Sequence, residues 1–472
     1  MANGRDESPQ SGRHHSRRYL ANQERLLALG DAVDQKGGAK RRRASATTRG
    51  RRRVGRRVAI GAGVVVLLVA AVVGGSYFYA NYRFNNITKI HVAGEVGKPI
   101  GGAPFNILMI GSDSRAGLSG LVARQTGANT AGIDGQRSDV VKIIHIDPGA
   151  GTINMISIPR DTVVSLLANQ SLYGAFNRIN VNFGNGPSLL AQTITANFGI
   201  PINQTIVVSF AGLINMADAI GGVYLDFRYP SWDPYSGVRI LHPGCQLVTG
   251  FQALAITRSR HFYYNVDHAT KFPPVIDGST DSGATALYDA GWMYDPTSDF
   301  GRIIRQDAFL RAMISRAKKL YNPLTLNTFL SKLPQGIILD QNFSLHELVG
   351  LAVRFHGINP NAVQTWTLPT YAATSATLGD VLYVQEPETQ QMLVNIFGVK
   401  GLKLPTNPPP NSAGQTPLPP TVAPTTTTTT TPVTTTTKST TKSTTKSTTT
   451  TAAPNPTLAG VPNYDPVPCT PS

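Results

Sequence analysis

The chain has 472 residues and a formal net charge of +16 at pH 7, from 43 Lys+Arg against 27 Asp+Glu. That length allows one large domain, or two to three ordinary ones with tails. Its two cysteines, Cys245 and Cys469, exclude a disulfide-dense scaffold and any cysteine-rich zinc or iron–sulfur module. The charge is uneven. Residues 1–57 hold 16 basic and 5 acidic residues, a local +11, so the excess is not a property of the whole protein. No nucleic-acid partner is expected.

Residues 1–57 are rich in Arg, Gly, Ser and Ala without sustained apolar periodicity and read as a disordered basic arm. The run 58–80 carries no charge over 23 residues. As a helix it would rise ~35 Å, enough to cross a ~30 Å hydrocarbon core. Tyr77, Phe78, Tyr79 and Tyr82 make an aromatic belt at its far end, and the arginines before it place the N-terminus in the cytoplasm. The expectation is an uncleaved single-pass anchor at the cell membrane, with the arm lying on anionic lipid headgroups. Residues 81–104 form a linker or stem.

The segment 105–404 is expected to be the extracytoplasmic domain. Its charge is nearly balanced. Apolar β-branched runs predict strands at 105–110, 140–146, 152–158, 205–210 and 223–227. Helical periodicity predicts helices at 188–197, 210–219, 250–255, 301–319, 345–355 and 388–397. Strands apolar on both faces, interleaved with helices, indicate an α/β fold with a mixed central sheet between helical layers.

Polar residues interrupt the ends of these strands. The run 106–115 ends on Gly111, Asp113 and Arg115, and ligands in open α/β sheets sit beyond strand carboxyl ends. Arg137 and Asp139 stand just before the next strand. Arg160 and Asp161 follow a third, which Pro159 stops. Taken singly, such residues also serve as ordinary caps and turns. Further on, Arg258 and Arg260 would face the same way if their segment were extended. Asp299, Arg302 and Gln306 would line one helical stripe, with an i,i+3 salt bridge as the plainer reading of the first two. His261 is expected to make a structural hydrogen bond.

Together, Arg160, Arg258, Arg260 and Arg302 need a polyanion, and phosphate or pyrophosphate matches their planar forks. Asp113 and Asp139 are hard oxygen ligands of the kind Mg²⁺ accepts beside water and substrate phosphates. Phosphoryl transfer needs little more than such a cation and clamp. No Walker loop, Ser-x-x-Lys or His-Glu-x-x-His motif appears.

Two loops are long: 116–136, rich in Gly and Ala, and the stretch between Arg260 and Asp299, read as a lid or acceptor-binding rim. From 405 to 472 the chain is a Pro/Thr-rich, low-complexity tail that reads as an extracellular stalk. The two cysteines fall on the outer side, where a disulfide, free thiols or an intermolecular bridge are all open.

The ordered motifs Asn-Ile-Leu-x-Ile-Gly-Ser-Asp-x-Arg from 106, Arg-Ser-Asp from 137, Ser-Ile-Pro-Arg-Asp from 157, Arg-Ile-Asn from 178, Ala-Leu-Ala-x-x-Arg-Ser-Arg-His, ending at His261, and Asp-Phe-x-Arg-x-x-Arg-Gln from 299 resemble the LytR-CpsA-Psr family of membrane-anchored cell-wall glycopolymer ligases. The resemblance implies an extracytoplasmic phosphotransferase. It would move a glycan polymer from a polyprenyl-pyrophosphate carrier to peptidoglycan through a muramic acid phosphodiester, with an apolar tunnel for the lipid. It also implies that Asp113 and Asp139 hold Mg²⁺ (or Mn²⁺), and that Arg160, Arg258 and Arg260 clamp the pyrophosphate. Asp299, Arg302 and Gln306 complete the catalytic stripe, and Arg137 and Arg302 join in substrate binding. The composition fits a high-GC actinobacterial background, in which arabinogalactan is the candidate polymer. A lipid-pyrophosphate hydrolase and a non-catalytic glycan- or polyprenyl-binding protein are the alternatives.

Overall fold

The computed structural model describes residues 60–399 apart from short internal stretches, the longest being 98–101, 119–137, 274–280 and 356–362, together with residues 462–471. The expected arm 1–57 and the stretch 405–461 lie outside the described residues, as does part of the expected anchor. Residues 74–85 are helical. Among the described residues no helix is long and apolar enough to cross a membrane. The chain divides into two compact units, Met1–Phe78 and Tyr79–Ser472.

The second unit is built on a seven-stranded sheet. Its strands are β1 (Thr88–Ile90), β2 (Phe105–Ser112), β3 (Ser138–Asp147), β4 (Thr152–Ile158), β7 (Gln204–Val208), β14 (Ile337–Asp340) and β15 (Gln364–Thr367). They run in the order β1-β14-β7-β2-β3-β4-β15. β2 is parallel to β7 and antiparallel to β3, and β15 is parallel to β4, so the sheet is mixed. Between β4 and β7 lies the hairpin β5 (Val163–Ser165) and β6 (Phe176–Arg178), followed by helix α1 (Pro187–Phe198).

The alternation of side chains along each strand divides the core. Val141 and Ile143 of β3 join Leu108, Ile110, Ile156 and Ile158 on one face, against Leu190, Ile194 and Phe198 of α1 and Leu393 of the last helix, Glu388–Phe397. Each such fully buried side chain contributes ~1.5–3 kcal/mol. Phe105, Ile107 and Val208 face the other side, where Leu213 and Met216 of α2 (Phe210–Ala219) and Leu330 of Pro323–Lys332 pack. The expected layered α/β fold with a mixed central sheet is therefore the observed one.

A third cluster joins smaller sheets to α2. It gathers β8 (Val223–Phe227), β10 (Val238–Ile240), β11 (Gly244–Val248), α3 (Gly250–Arg258) and the long helix Asp299–Arg316, here α5. A four-stranded sheet carries β10, β9 (Ser231–Asp233), β12 (Tyr263–Asn265) and β13 (Trp292–Tyr294), with α4 (Asp281–Asp289) before β13. The stretch after Arg260, expected as a long loop, thus contributes two short strands to this sheet and a helix between them.

Three expectations shift at element ends. The strand predicted over 205–210 stops at Val208, because the Ser209 side chain accepts from Gly212 N–H and caps α2. The predicted 250–255 helix continues to Arg258, so Arg258 and Arg260 are not on an extended segment. The end of the chain is not low-complexity tail throughout. Val467–Pro468, β18, pairs antiparallel with β8, and Cys469 is disulfide-bonded to Cys245 on β11, which resolves the open question about the thiols.

One charged pair is buried in the layer between sheet and helix. Lys142 on β3 meets Asp307 of α5 at 2.6 Å and also donates to Ser157 Oγ. Lys142 is fully buried, and burial pushes its ammonium pKa down while the Asp307 carboxylate opposes that. Asp307→Ala should therefore cost ~3–5 kcal/mol by leaving an uncompensated charge, whereas Lys142→Met combined with Asp307→Leu should recover most of it. Chemical denaturation of the three proteins measures both effects.

Candidate functional site

The carboxyl ends of β2, β4 and β7 and the start of β3 lie at the same end of the sheet. At that end β2 and β3 do not pair in step. Gly111 faces Val140, yet Ser112 faces Ser138, so Asp139 is an extra residue in a bulge. A bulge re-aims a side chain and breaks the ladder beside it. Gly111 makes this possible, because a Cβ there would stand 2.7 Å from Val140 Cβ. Asp113 follows Ser112 directly, which puts the two expected metal carboxylates on adjoining strand ends.

Arginines surround Asp139. Its Oδ1 accepts from Arg160 Nη1 at 2.6 Å and lies 3.9 Å from Arg302 Nη1. Arg302 Nη2 donates to the Asp139 carbonyl at 2.9 Å and pairs with Asp299 at 3.0 Å. Arg260 pairs with the same Asp299 oxygen at 3.0 Å. Burial works against the charge on Asp139, but the Arg302 and Arg160 guanidiniums outweigh it and hold the carboxyl below its usual range. Arg302 is nearly buried; burial pushes its pKa down to about 10 against the pull of Asp299.

Arg258 completes the group. Its guanidinium lies 4.7 Å from the centre of the Phe210 ring at the start of α2. Burial lowers its pKa, and the neighbouring charge of Arg115 lowers it further. Among the described residues, Arg258 Nη1 and Arg302 Nε are buried donors with no hydrogen-bond partner. Buried donors are nearly always satisfied in folded proteins, so these two leave hydrogen-bonding capacity for an acceptor.

These groups line one cavity of about 370 Å³. Its polar part is Asp139, Arg160, Arg258, Arg260 and Arg302. Its apolar part is Met109, Val208, Leu213, Met216, Leu254, Phe309 and Leu310. Of the site residues expected from sequence, Asp139, Arg160, Arg258, Arg260, Arg302 and Gln306 line it, whereas Asp113 and Asp299 do not, and four residues need comment. Gln306 lines the cavity, but its Nε2 is tied to the Thr257 carbonyl at 3.0 Å and braces α5 against α3. Asp161 pairs with Arg160 and Arg178 at 3.4 Å each, as an anchor for both. His261 lines the cavity with its ring tilted against that of Tyr235, 4.8 Å between centres, while its backbone N–H donates to Asp233. Arg137 lies outside the described residues.

Sequence reasoning missed Asp233. It is buried at the end of β9 and accepts from Ser259 Oγ at 2.6 Å and from the amides of Tyr235, Ser236 and His261. It therefore fixes the turn that holds Arg258 and Arg260. No period or motif singles out this aspartate in the chain. Among the described residues no cluster of three His, Cys, Asp or Glu side chains could hold a metal by itself.

The chain is 28% identical over 283 residues to the probable cell wall biosynthesis protein LcpB of Corynebacterium glutamicum, covering 59% of this chain and 58% of that one. It is 25% identical over 271 residues to the polyisoprenyl-teichoic acid–peptidoglycan teichoic acid transferase TagV of Bacillus subtilis, covering 56% of each. The chain thus spans a little over half the length of these curated relatives. Among solved structures, a LytR-Csp2A-Psr enzyme from Actinomyces oris superposes with a TM-score of 0.47 at 18% identity, over 66% of this chain and 95% of that one. The LytR_cpsA_psr family model matches residues 81–269 and 281–396, a span that holds the described arginines and aspartates of the cavity. With well over half of its length matched, the chain belongs to the LytR-CpsA-Psr family.

Proposed function

We propose that the protein is an extracytoplasmic phosphotransferase that moves a glycan polymer from a polyprenyl-pyrophosphate carrier onto peptidoglycan. The observation that carries this reading is one cavity lined both by apolar side chains and by four arginines. A polyprenyl chain matches the first and a pyrophosphate the second. The names of LcpB and TagV agree with a cell-wall transferase.

In this reading a muramic acid 6-hydroxyl attacks the sugar-side phosphorus. A new P–O bond forms, the bond to the bridging oxygen breaks, polyprenyl phosphate leaves with the electron pair, and the hydroxyl proton passes to solvent water. Arg160, Arg258, Arg260 and Arg302 hold the pyrophosphate and spread the charge that develops on the leaving oxygen. Asp299 pairs with both Arg260 and Arg302 through one oxygen and so holds the two guanidiniums side by side. Gln306 sets the distance between α5 and α3.

Two adjoining carboxylates, one of them held ionised, fit a hard divalent cation that takes its other ligands from water and substrate. Asp113 and Asp139 would hold Mg²⁺, with Mn²⁺ as a substitute. Bound there, it would supply further neutralisation of the pyrophosphate. Residues 58–80 would anchor the protein in the cell membrane with the arm on the cytoplasmic leaflet. Arabinogalactan is the candidate polymer.

Arg160→Ala and Arg258→Ala should each lower transfer by ~10² or more while leaving the fold intact. The assay incubates purified protein with a lipid-linked glycan, with and without peptidoglycan, and counts glycan joined to the acceptor. Normal transfer by both variants would sink the assignment, and glycan release without an acceptor would identify a hydrolase. Gly111→Ala should push Val140 away and carry the Asp139 bulge with it, at a stability cost of ~1–3 kcal/mol. Its transfer rate should fall steeply. A crystal structure of that variant with Asp139 unmoved, together with undiminished transfer, would refute the role given to the bulge.

A further inference from the structure

The family match ends at residue 396, yet residues 462–471 are docked on the domain beside the arginine cluster. We infer that these C-terminal residues are a strap that sets the clamp: Asp465 acts through Arg305 on Ser259, the residue between Arg258 and Arg260, and the Cys245–Cys469 bond fastens the strap.

Each link is a short contact between buried groups. Asp465 Oδ1 accepts from Arg305 Nη1 at 2.6 Å, and both residues are almost wholly buried. The other end of the same guanidinium, Nη2, donates to the Ser259 carbonyl at 3.0 Å. Arg305 is on α5, between Arg302 and Gln306, and its guanidinium lies 4.5 Å from the centre of the Phe262 ring. Asp465 therefore reaches the two elements that carry Arg258, Arg260 and Arg302 through one rigid fork. A guanidinium with both ends engaged fixes direction as well as distance.

Asp295 closes the arrangement. It accepts from Arg305 Nη1 at 2.9 Å and from the Tyr464 hydroxyl at 3.0 Å, and the Tyr464 ring stacks on Tyr264 at 4.4 Å. Gly301 in α5 leaves room for this pair, because a Cβ there would overlap the Asp295 carboxylate. Two buried carboxylates share one guanidinium. Burial pushes Asp465 up to about 6 against the pull of Arg305, and Asp295 adds to the rise. Such a segment gains from a covalent fastener, and the disulfide joins Cys469 to Cys245, 224 residues away in sequence. The Cys469 amide and the β18–β8 pairing hold the same end.

The strap is a positioning element, and its effect on substrate rests on the functional reading above. The test uses the full chain with Asp465→Asn, which keeps the shape and removes the charge. Amide hydrogen exchange at Ser259–His261 should speed up by about ten-fold, and affinity for farnesyl pyrophosphate should fall by about ten-fold, with binding of peptidoglycan fragments unchanged. Wild-type protein whose disulfide has been reduced to two thiols by a phosphine should shift in the same direction on both readouts. A folded Asp465→Asn protein with unchanged exchange and affinity overturns the inference. If that variant does not fold, reduced wild type with unchanged exchange at the same amides overturns it. Should wild type bind no farnesyl pyrophosphate, the functional reading fails, and the exchange arm still decides the strap.

Discussion

Everything at this site depends on keeping several guanidiniums together before any substrate arrives. Two unit charges ~4 Å apart interact by ~4 kcal/mol at an effective dielectric of ~20, and for two cations that is a penalty. The protein answers with carboxylates interleaved among the cations. Asp139 lies between Arg160 and Arg302, and Asp299 lies between Arg260 and Arg302. Arg302 is the common member, which explains why it is buried yet still charged. An anion entering the cavity would meet cations already held in place, so little reorganisation would accompany its binding.

The scaffold that makes this possible is a meeting of two cores. The central sheet supplies Asp139 and Arg160 from adjacent strands, and the smaller α/β layer supplies Arg258, Arg260 and Arg302. Between them α5 runs as the shared element, with Lys142–Asp307 on its sheet side and Gln306 and Arg305 braced against the α3 end. Because the clamp straddles this seam, small changes in how α5 seats on the sheet alter the spacing of the arginines. That seam is where buried ion pairs concentrate, and buried pairs resist such sliding because any separation strands a charge.

The layers of this fold were legible because period and composition speak through local rules. The strands over 152–158 and 223–227 and the helices over 210–219, 345–355 and 388–397 coincide with their predicted limits. Six ordered motifs also pointed to the arginines. What escaped lies in non-local geometry. The Asp139 bulge is a register event between two strands, invisible in either one. Asp233 gains its role from the Ser259 hydroxyl and the His261 amide, 26 and 28 residues away, and from the turn beside it. The last ten residues follow a Thr/Pro-rich stretch, and composition gave them its polar character, although Asp465 and Cys469 are buried. The pairing of Cys245 with Cys469 spans 224 residues, and spacing alone carries no information about it.

A cavity that mixes apolar walls with four cations raises a question of solvation. Apolar area contributes ~25 cal/mol per Å² only when it leaves water, whereas charges lose solvation in the same step. The cavity meets the two demands with different side chains. Lys142 stands among the apolar lining, and its charge is paired with Asp307. The unsatisfied donors, Arg258 Nη1 and Arg302 Nε, belong to the polar part. A ligand that is wholly apolar would leave those donors stranded, and one that is wholly charged would leave the walls wet. An amphiphile with an anionic head would satisfy both, so one set of guanidiniums would select such a ligand and bear its charge.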